Sequence, residues 1–374
     1  MKVAFLLQDT RALYGAEQAT IQLAEGLIAA GISVRVLLLH ETRLGEGKSP
    51  LVEELKARCL VTEIPVKGRF SKAAIGEIRG ILEREQIDVL HSTGYKADWH
   101  AGIAAEWGTR FPVVSTVHGW LFRRNLKERI FQALNIRALN RFSRVIVLSD
   151  FYERYLRRCG FSPLQLARIP TGVKADSMVS ETVAKALWAE PRDVFFFGML
   201  GRLSGEKNHD LLLRAAVRLS REMECSPRSW RILIAGDGPL HSDLERRIRR
   251  LGLGDRITLA GRMEPRDFFR QVHVLVQCSR VENQPMSVME AMAWMRPVVA
   301  TNAGGLPELV HDGKTGRVIR EGNAYELAAA MKEYLVAPEL ACATGLRARA
   351  ALVKNYPFDR MIQDHIGLYG AAVK

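Results

Sequence analysis

The sequence predicts an α/β protein made of two doubly wound domains in tandem. Three observations lead there. Short apolar runs alternate with stretches of helical periodicity, the pattern of a parallel sheet covered on both faces. The alternation starts afresh in the second half of the chain. The length, 374 residues, suits two domains of roughly 100–200 residues each.

In the first half, Val3–Leu7 reads as a buried strand. Glu17–Ala30 reads as a helix with Ile21, Ala24, Leu27 and Ile28 on one face, stopped by Gly31. Val34–Leu39, Val61–Ile64, Val89–His91, Val113–Val117 and Val145–Leu148 read as further strands, with patterned helices between most of them. The turn Ile169-Pro170-Thr171-Gly172-Val173 marks a soft boundary, and residues 174–192 are polar without strong periodicity. The second series has expected strands at Val194–Leu200, Arg231–Ala235, Ile257–Ala260, Val272–Gln277 and Pro297–Thr301. Helices are expected at about His209–Ser220, Leu240–Leu251, Pro265–Gln271 and Met286–Met295. The expected domains are therefore 1–175 and 176–357. Phe358–Tyr369 has helical spacing after the break at Tyr356-Pro357, and periodicity leaves open which domain it joins.

Composition narrows the class. A hydrophobic fraction of 48% is too high for disorder, and no run approaches the ~18 apolar residues of a membrane span. The apolar opening turns polar at Gln8-Asp9-Thr10, too soon for a secretory signal. Cys59, Cys159, Cys225, Cys278 and Cys342 are scattered, with no Cys-x-x-Cys pair. That argues against a disulfide framework or zinc knuckle and for a reducing cytoplasm. The net charge of +13 is uneven: residues 1–118 balance at 14 basic and 14 acidic, whereas residues 119–175 carry 12 basic and 3 acidic. A surplus held in one stretch points to a local anionic partner rather than to nucleic acid.

Open α/β sheets bind ligands beyond the carboxyl ends of their strands, so the strand-to-helix loops are where chemistry is expected. Thr10–Glu17 contains Gly15 and Ala16, small residues that suit a backbone approach to a ligand or a packing turn. Gly201-Arg202-Leu203-Ser204-Gly205-Glu206-Lys207-Asn208 sets two cations at a helix mouth; they can neutralise a diphosphate, or they are two solvated surface charges. The P-loop order is missing. Gly236-Asp237-Gly238 makes a tight turn, either structural or lining a nucleotide. In Ser279–Met292, Glu282 and Glu290 stand eight residues apart. Pro285 can open a helix, and the free amides around Met286, Ser287 and Val288 suit phosphate, while Glu290 suits a ribose diol. Spacing alone equally allows two solvated glutamates. His118, at a strand's carboxyl end before Gly119, is a functional or a capped structural histidine, and His91 occupies a similar place.

Taken in order, Gly201-Arg202, Glu206-Lys207, Ala235–Pro239, Glu282-x7-Glu290-Ala291-Met292-Ala293, Pro297–Thr301 and Gly304-Gly305-Leu306-Pro307-Glu308 resemble the retaining glycosyltransferases of family 4, with the GT-B fold. Gly15-Ala16-Glu17 and Ile169-Pro170-x-Gly172-Val173 are similar too, so the resemblance runs nearly end to end. It implies two Rossmann-like domains facing across a cleft, the N-terminal one for the acceptor and the C-terminal one for a nucleotide-sugar. The closing helix is then expected to cross back to the N-terminal domain, so that 358–374 packs there. By matching motif, Arg202 and Lys207 are expected to bind the diphosphate, Glu290 the ribose and Glu282 the donor sugar, with His118 beside the transferred sugar. The sequence departs from the family's pattern at Tyr14 and Asn283, and at Met295, where glycine is usual and a local packing change is expected.

No Asp-x-Asp pair exists, so metal-independent chemistry with no cofactor is expected, with Arg202, Lys207 and the helix amides stabilising the leaving diphosphate. A UDP-sugar donor and a glycan or lipid-linked acceptor of envelope or exopolysaccharide synthesis follow from family habit. The rivals are a non-hydrolysing nucleotide-sugar epimerase and a non-catalytic sugar-nucleotide-binding protein. Nucleic acid lacks a supporting module. In the basic stretch, Leu121, Phe122, Leu126, Ile130, Phe131 and Leu134 alternate with Arg123, Arg124, Lys127 and Arg129, and Arg137, Arg141 and Arg144 follow. That pattern fits an ordinary amphipathic helix or peripheral contact with an anionic membrane at its inner face.

Overall fold

The computed structural model describes residues 1–11, 13, 15–44, 49–68, 70–120, 126–190, 193–224 and 228–373. Tyr14, Leu121, Phe122, Arg123, Arg124 and Cys225 lie outside them, as does the side chain of Lys127. The chain divides into two units, Met1–Gly172 with Phe358–Lys374, and Val173–Pro357. The division falls three residues before the expected 175–176 boundary.

The first unit runs β1 (Lys2–Gln8), α1 (Gly15–Ala29), β2 (Ser33–Glu41), α2 (Pro50–Lys56), β3 (Leu60–Val66), α3 (Lys72–Arg84), β4 (Val89–Ser92), α4 (Tyr95–Ala104), β5 (Val113–Val117), α5 (Leu126–Leu139), β6 (Arg144–Val147), α6 (Asp150–Arg158) and β7 (Leu166–Arg168). The second runs α7 (Ala175–Met178), α8 (Glu181–Ala189), β8 (Val194–Leu200), α9 (His209–Glu222), β9 (Ser229–Ala235), α10 (His241–Arg250), β10 (Ile257–Leu259), α11 (Pro265–Gln271), β11 (Val274–Gln277), α12 (Met286–Ala293), β12 (Val298–Thr301), α13 (Leu306–Leu309), β13 (Gly316–Ile319), α14 (Ala324–Val336) and α15 (Pro338–Asn355). A last helix, α16 (Phe358–Val373), returns to the first unit.

Both sheets are parallel, ordered β3-β2-β1-β4-β5-β6-β7 and β10-β9-β8-β11-β12-β13. Parallel sheets need apolar side chains on both faces, and here each sheet has a core cluster on either side. Phe5, Val36, Val114 and Ile362 belong to one face of the first sheet, and Leu6, Leu37 and Val147 to the other. The second sheet is sandwiched likewise, with Phe197 and Val276 on one side and Leu275 and Met292 on the other. These are the Rossmann-like units of a GT-B fold.

The closing helix packs by way of a missing side chain. A Cβ on Gly26 of α1 would lie 2.3 Å from Ile362 Cδ1 and 2.8 Å from Phe358 Cζ. Only a bare backbone there lets α1 and α16 approach so closely. Further along, Tyr369 is fully buried with its hydroxyl 2.6 Å from His91 Nδ1.

Several elements escaped the sequence pattern. Ile28, expected on the buried face of α1, is exposed, while Leu23 is buried instead. Residues 174–192 hold α7 and α8, and Ser180 caps α8 by accepting the Val183 amide at 3.3 Å. The edge strands β7 and β13 have half-exposed residues that interrupt any apolar run. Met295, at the position where glycine is usual, has φ +54 and a buried side chain, so the departure is one of backbone conformation as well as of packing. Asn283 is buried without a positive φ. Among the described residues, no helix is long and apolar enough to cross a membrane.

Candidate active site

Each sheet reverses its order once, between β1 and β4 in the first unit and between β8 and β11 in the second. Loops leaving such neighbouring strands part to opposite faces and open a crevice at the carboxyl ends. The sequence motifs fall on those loops.

In the second unit, the loop after β8 is locked to the turn after β9. The Gly201 and Leu203 amides donate to the Ala235 and Asp237 carbonyls at 3.0 and 2.9 Å. A Cβ on Gly236 would sit 1.9 Å from the Gly201 carbonyl oxygen, and one on Gly238 2.5 Å from that of Leu203. Close approach of two backbones therefore explains both glycines, and Asp237 between them is exposed. Arg202 is also exposed on its loop. Lys207 is held inward, where its Nζ donates to Glu282 Oε1 at 2.5 Å.

Glu282 lies in the loop after β11 and is fixed from three sides. Besides Lys207, Ser279 Oγ and Gln277 Nε2 donate to the same carboxylate oxygen, at 2.8 and 2.9 Å. Its carbonyl accepts the Gly305 amide at 3.0 Å, and a Cβ on Gly304 (φ +58) would come within 1.9 Å of that carbonyl oxygen. Arg280 ties the loop to its neighbour, its amide donating to the Glu206 carbonyl at 2.9 Å and its Nη2 to Asn208 Oδ1 at 3.2 Å. Loops after β8, β11 and β12 thus converge on one residue, the first two on its carboxylate and the third on its backbone carbonyl.

Pro285 caps α12 and Met286 is its first residue. The Val288 amide, expected to be open, donates to the Pro285 carbonyl at 3.1 Å. Among the described residues, none accepts from the Met286 or Ser287 amide, so these two remain as open donors at this helix start. Glu290 follows one turn in, half-buried, and desolvation lifts its carboxyl to about 7. His209, buried at the start of α9, is pushed down to about 4 by desolvation and then by the Lys207 charge.

In the first unit, a cavity of about 230 Å³ opens at the carboxyl ends of β1, β4 and β5; Thr10, Ala16, Glu17, His118, Trp120 and Asn135 are among its lining residues. Gly15 begins α1 beside it. Desolvation pushes the His118 imidazole down to about 4, so it is neutral near pH 7. Asp98, also lining the cavity, is buried and accepts from Ser92 Oγ (2.7 Å), Ser115 Oγ (2.8 Å) and Asn135 Nδ2 (2.8 Å). Burial raises its carboxyl, with these three bonds working against the rise. Asn135 Oδ1 in turn accepts the Trp120 indole at 3.1 Å. Both ring nitrogens of His91 are engaged: besides the Tyr369 contact, Nε2 is 2.8 Å from Thr116 Oγ1, and desolvation holds the imidazole well below its ordinary value.

The structure therefore joins Lys207 to Glu282, sets Gly236 and Gly238 to loop packing, and leaves Arg202 and Asp237 exposed. Gly15, Ala16 and His118 belong to the first unit. Spacing does not single out Gln277, Ser279, Asp98 or Asn135 for the site. The one readable signal is Gln277, a polar residue closing the apolar run Val274–Val276.

Comparison with known proteins follows the same division. Residues 193–336 match the family described as glycosyl transferases group 1, and residues 14–177 match glycosyltransferase family 4. Alpha-D-kanosaminyltransferase of Streptomyces kanamyceticus is 35% identical over 213 residues, 54% of each chain. The match thus spans about half the length of that relative. D-inositol 3-phosphate glycosyltransferase of Streptomyces scabiei is 26% identical over 392 aligned positions, covering 94% of this chain and 85% of the relative. Among solved structures, Anabaena HepE in complex with UDP and glucose superposes with a TM-score of 0.80 at 22% identity, over 99% of this chain and 100% of that one. With both halves matched and the GT-B architecture in place, the chain belongs to the group 1, family 4 glycosyltransferases.

Proposed function

We propose that this protein moves a hexosyl group from a nucleoside diphosphate sugar to a glycan or lipid-linked acceptor, with retention of anomeric configuration. The observation that carries the proposal is the carboxylate of Glu282 held against Lys207 where the loops after β8, β11 and β12 meet. Arg202, Lys207 and the Met286 and Ser287 amides face the diphosphate, Glu290 the ribose and Glu282 the donor sugar. On the first unit, His118 is neutral, and the small residues Gly15 and Ala16 leave room for close approach of a ligand. UDP is the preferred nucleotide, supported by HepE, whose structure holds UDP and glucose. An acceptor bearing an anionic group is supported by the name of the inositol 3-phosphate relative.

In the reaction, the acceptor oxygen attacks the anomeric carbon from the face that the leaving group departs. The bond from that carbon to the phosphate oxygen breaks, its electron pair stays on phosphate, and the acceptor proton passes to the same oxygen. Lys207, Arg202 and the helix amides stabilise the charge that develops, without a metal ion. Thermal shift against a panel of UDP- and GDP-sugars tests the donor, with stabilisation expected from UDP-sugars. Lys207→Ala is expected to lower the transfer rate by about 10²–10³-fold, as when a donor to a developing anion is lost, and EDTA to leave it unchanged. An unchanged rate in Lys207→Ala overturns the site, and a glycosyl group trapped on a carboxylate overturns front-face attack. Turnover of donor without acceptor favours an epimerase.

A membrane role has its own observation. On α5, Leu126, Ile130 and Leu134 are 70%, 51% and 41% exposed, one helical turn apart, and Arg129 and Arg137 flank them in solvent. An apolar ridge between basic side chains suits an anionic bilayer, here the cytoplasmic face of the membrane where a lipid-linked acceptor resides. Co-sedimentation with vesicles is expected to rise with anionic lipid content; binding independent of that content sinks the idea.

A further inference from the structure

We infer that Gln277 is a positioning residue for the transfer, holding one oxygen of Glu282 so that the other stays uncommitted for substrate. The inference rests on the proposed role of Glu282 at the donor sugar.

Strand β11 lies inside a parallel sheet with all four of its residues buried. An apolar residue is the default at such a place, and a buried amide is costly unless its polar atoms are paired. Gln277 pairs them with the site. Its Nε2 donates to Ser279 Oγ at 3.0 Å and to Glu282 Oε1 at 2.9 Å, and its Oε1 is 3.5 Å from Ser287 Oγ at the start of α12. One side chain therefore spans the Glu282 loop and the helix start that carry the two halves of the motif.

The consequence lies in how Glu282 meets Lys207. Without further donors, an ammonium beside a carboxylate can wander between both oxygens. Here the Gln277 amide, the Ser279 hydroxyl and the Lys207 ammonium all bond Oε1, and Oε2 accepts from no described residue. A carboxylate held at one oxygen has its orientation set before substrate arrives, as preorganised sites require. Glutamine suits the post where glutamate does not. Both amide hydrogens are donated, and a second ionised carboxylate would repel the first.

The test uses the full chain and the strongest thermal-shift ligand among UDP-glucose, UDP-galactose and UDP-N-acetylglucosamine, with released UDP as the readout. Gln277→Leu removes the donors at similar size and is expected to lower kcat by about 10²-fold, the usual loss when a reacting group is misplaced. UDP affinity is expected to stay within about twofold. Gln277→Glu is expected to make activity pH-dependent. At low pH its protonated carboxyl can still donate to Glu282. As pH rises the proton is lost, two carboxylates face each other, and the rate falls where the parent enzyme's does not. A purely structural role moves no such inflection. Gln277→Leu with parental kcat, or Gln277→Glu with the parental pH profile, overturns the inference; if Gln277→Leu fails to fold, the pH profile decides alone. Glu282→Gln, measured in parallel, separates the two levels. If it retains parental kcat, the assignment of Glu282 falls and takes the inference with it. If it loses activity while Gln277→Leu does not, only the positioning role falls. A chain that none of the three UDP-sugars stabilises overturns the donor reading, and this inference with it.

Discussion

Met295 bears a left-handed backbone, which costs a residue with a side chain about 1–2 kcal/mol, and its side chain is buried. Burial of a methionine contributes about 1.5–3 kcal/mol, enough to hold the strain. Two substitutions separate the terms. Met295→Ala loses the buried side chain and keeps the strain, whereas Met295→Gly loses both. Glycine is therefore expected to be more stable than alanine here by about 1 kcal/mol, the reverse of the ordinary ranking, as read from chemical-unfolding midpoints. Glu290 has a pH signature of its own. Its folded carboxyl sits at about 7, against 4.5 when exposed. Between those values the native state holds a proton that the unfolded chain has released, so its contribution is full below 4.5 and is lost as pH rises through 7. His118, His209 and His365 work oppositely: each is pushed down from 6.5 to about 4, mainly by desolvation, so stability is lost as pH falls across that window. Comparing Glu290→Gln with the parent isolates the first effect. The variant is expected to gain relative stability from pH 5 to pH 8, on the order of 1–3 kcal/mol; parallel curves would refute it.

Elements show where the sequence was readable. Core strands such as Val113–Val117 stand out because every side chain in them is apolar or small and both faces are covered. Pro265–Gln271 stands out because proline opens it. The edge strand Leu166–Arg168 is short and faces solvent, so its residues lack the pattern that burial imposes. Helix α8 lay hidden because little of it is buried; only Ala184 is, so its signal is the Ser180 cap rather than periodicity. Within the site, the charged ends of the motif were legible from spacing, but Asp98 was not. Its partners Ser92, Ser115 and Asn135 come from three separate elements, and only the folded sheet sets them beside one carboxylate. Helix α16 was legible as a helix, while its place depends on the gap at Gly26. Gly26→Ala is expected to destabilise the first unit by about 1–3 kcal/mol through overpacking. Ile362→Ala is expected to cost more alone than in the Gly26→Ala background, because the truncated side chain makes room for the new methyl. Additive costs in the double-mutant cycle would show that the two sites do not meet.

At the scale of the whole molecule, the second unit is one continuous stretch and the first is not. Residues 173–357 expressed alone are expected to fold, and to bind UDP if the proposed donor site is right. Residues 1–172 alone lack Phe358, Met361 and Ile362, each buried in the first core. At about 1.5–3 kcal/mol for each such side chain, that loss rivals the 5–15 kcal/mol that typically holds a domain together. The fragment is expected to lose its near-UV circular dichroism signal and to recover it when 358–374 is joined by a flexible linker. A cooperative melt of 1–172 alone would refute this.

The same discontinuity reverses the usual order of birth. A chain emerging from the ribosome at about 5–20 residues per second normally completes its N-terminal domain first. Here the first sheet waits for a helix made about 200 residues later, a delay on the order of 10–40 seconds at that rate. The later-born unit can close before the earlier one, and through that interval the apolar side chains of α1 that Phe358 and Ile362 will cover stay exposed to water.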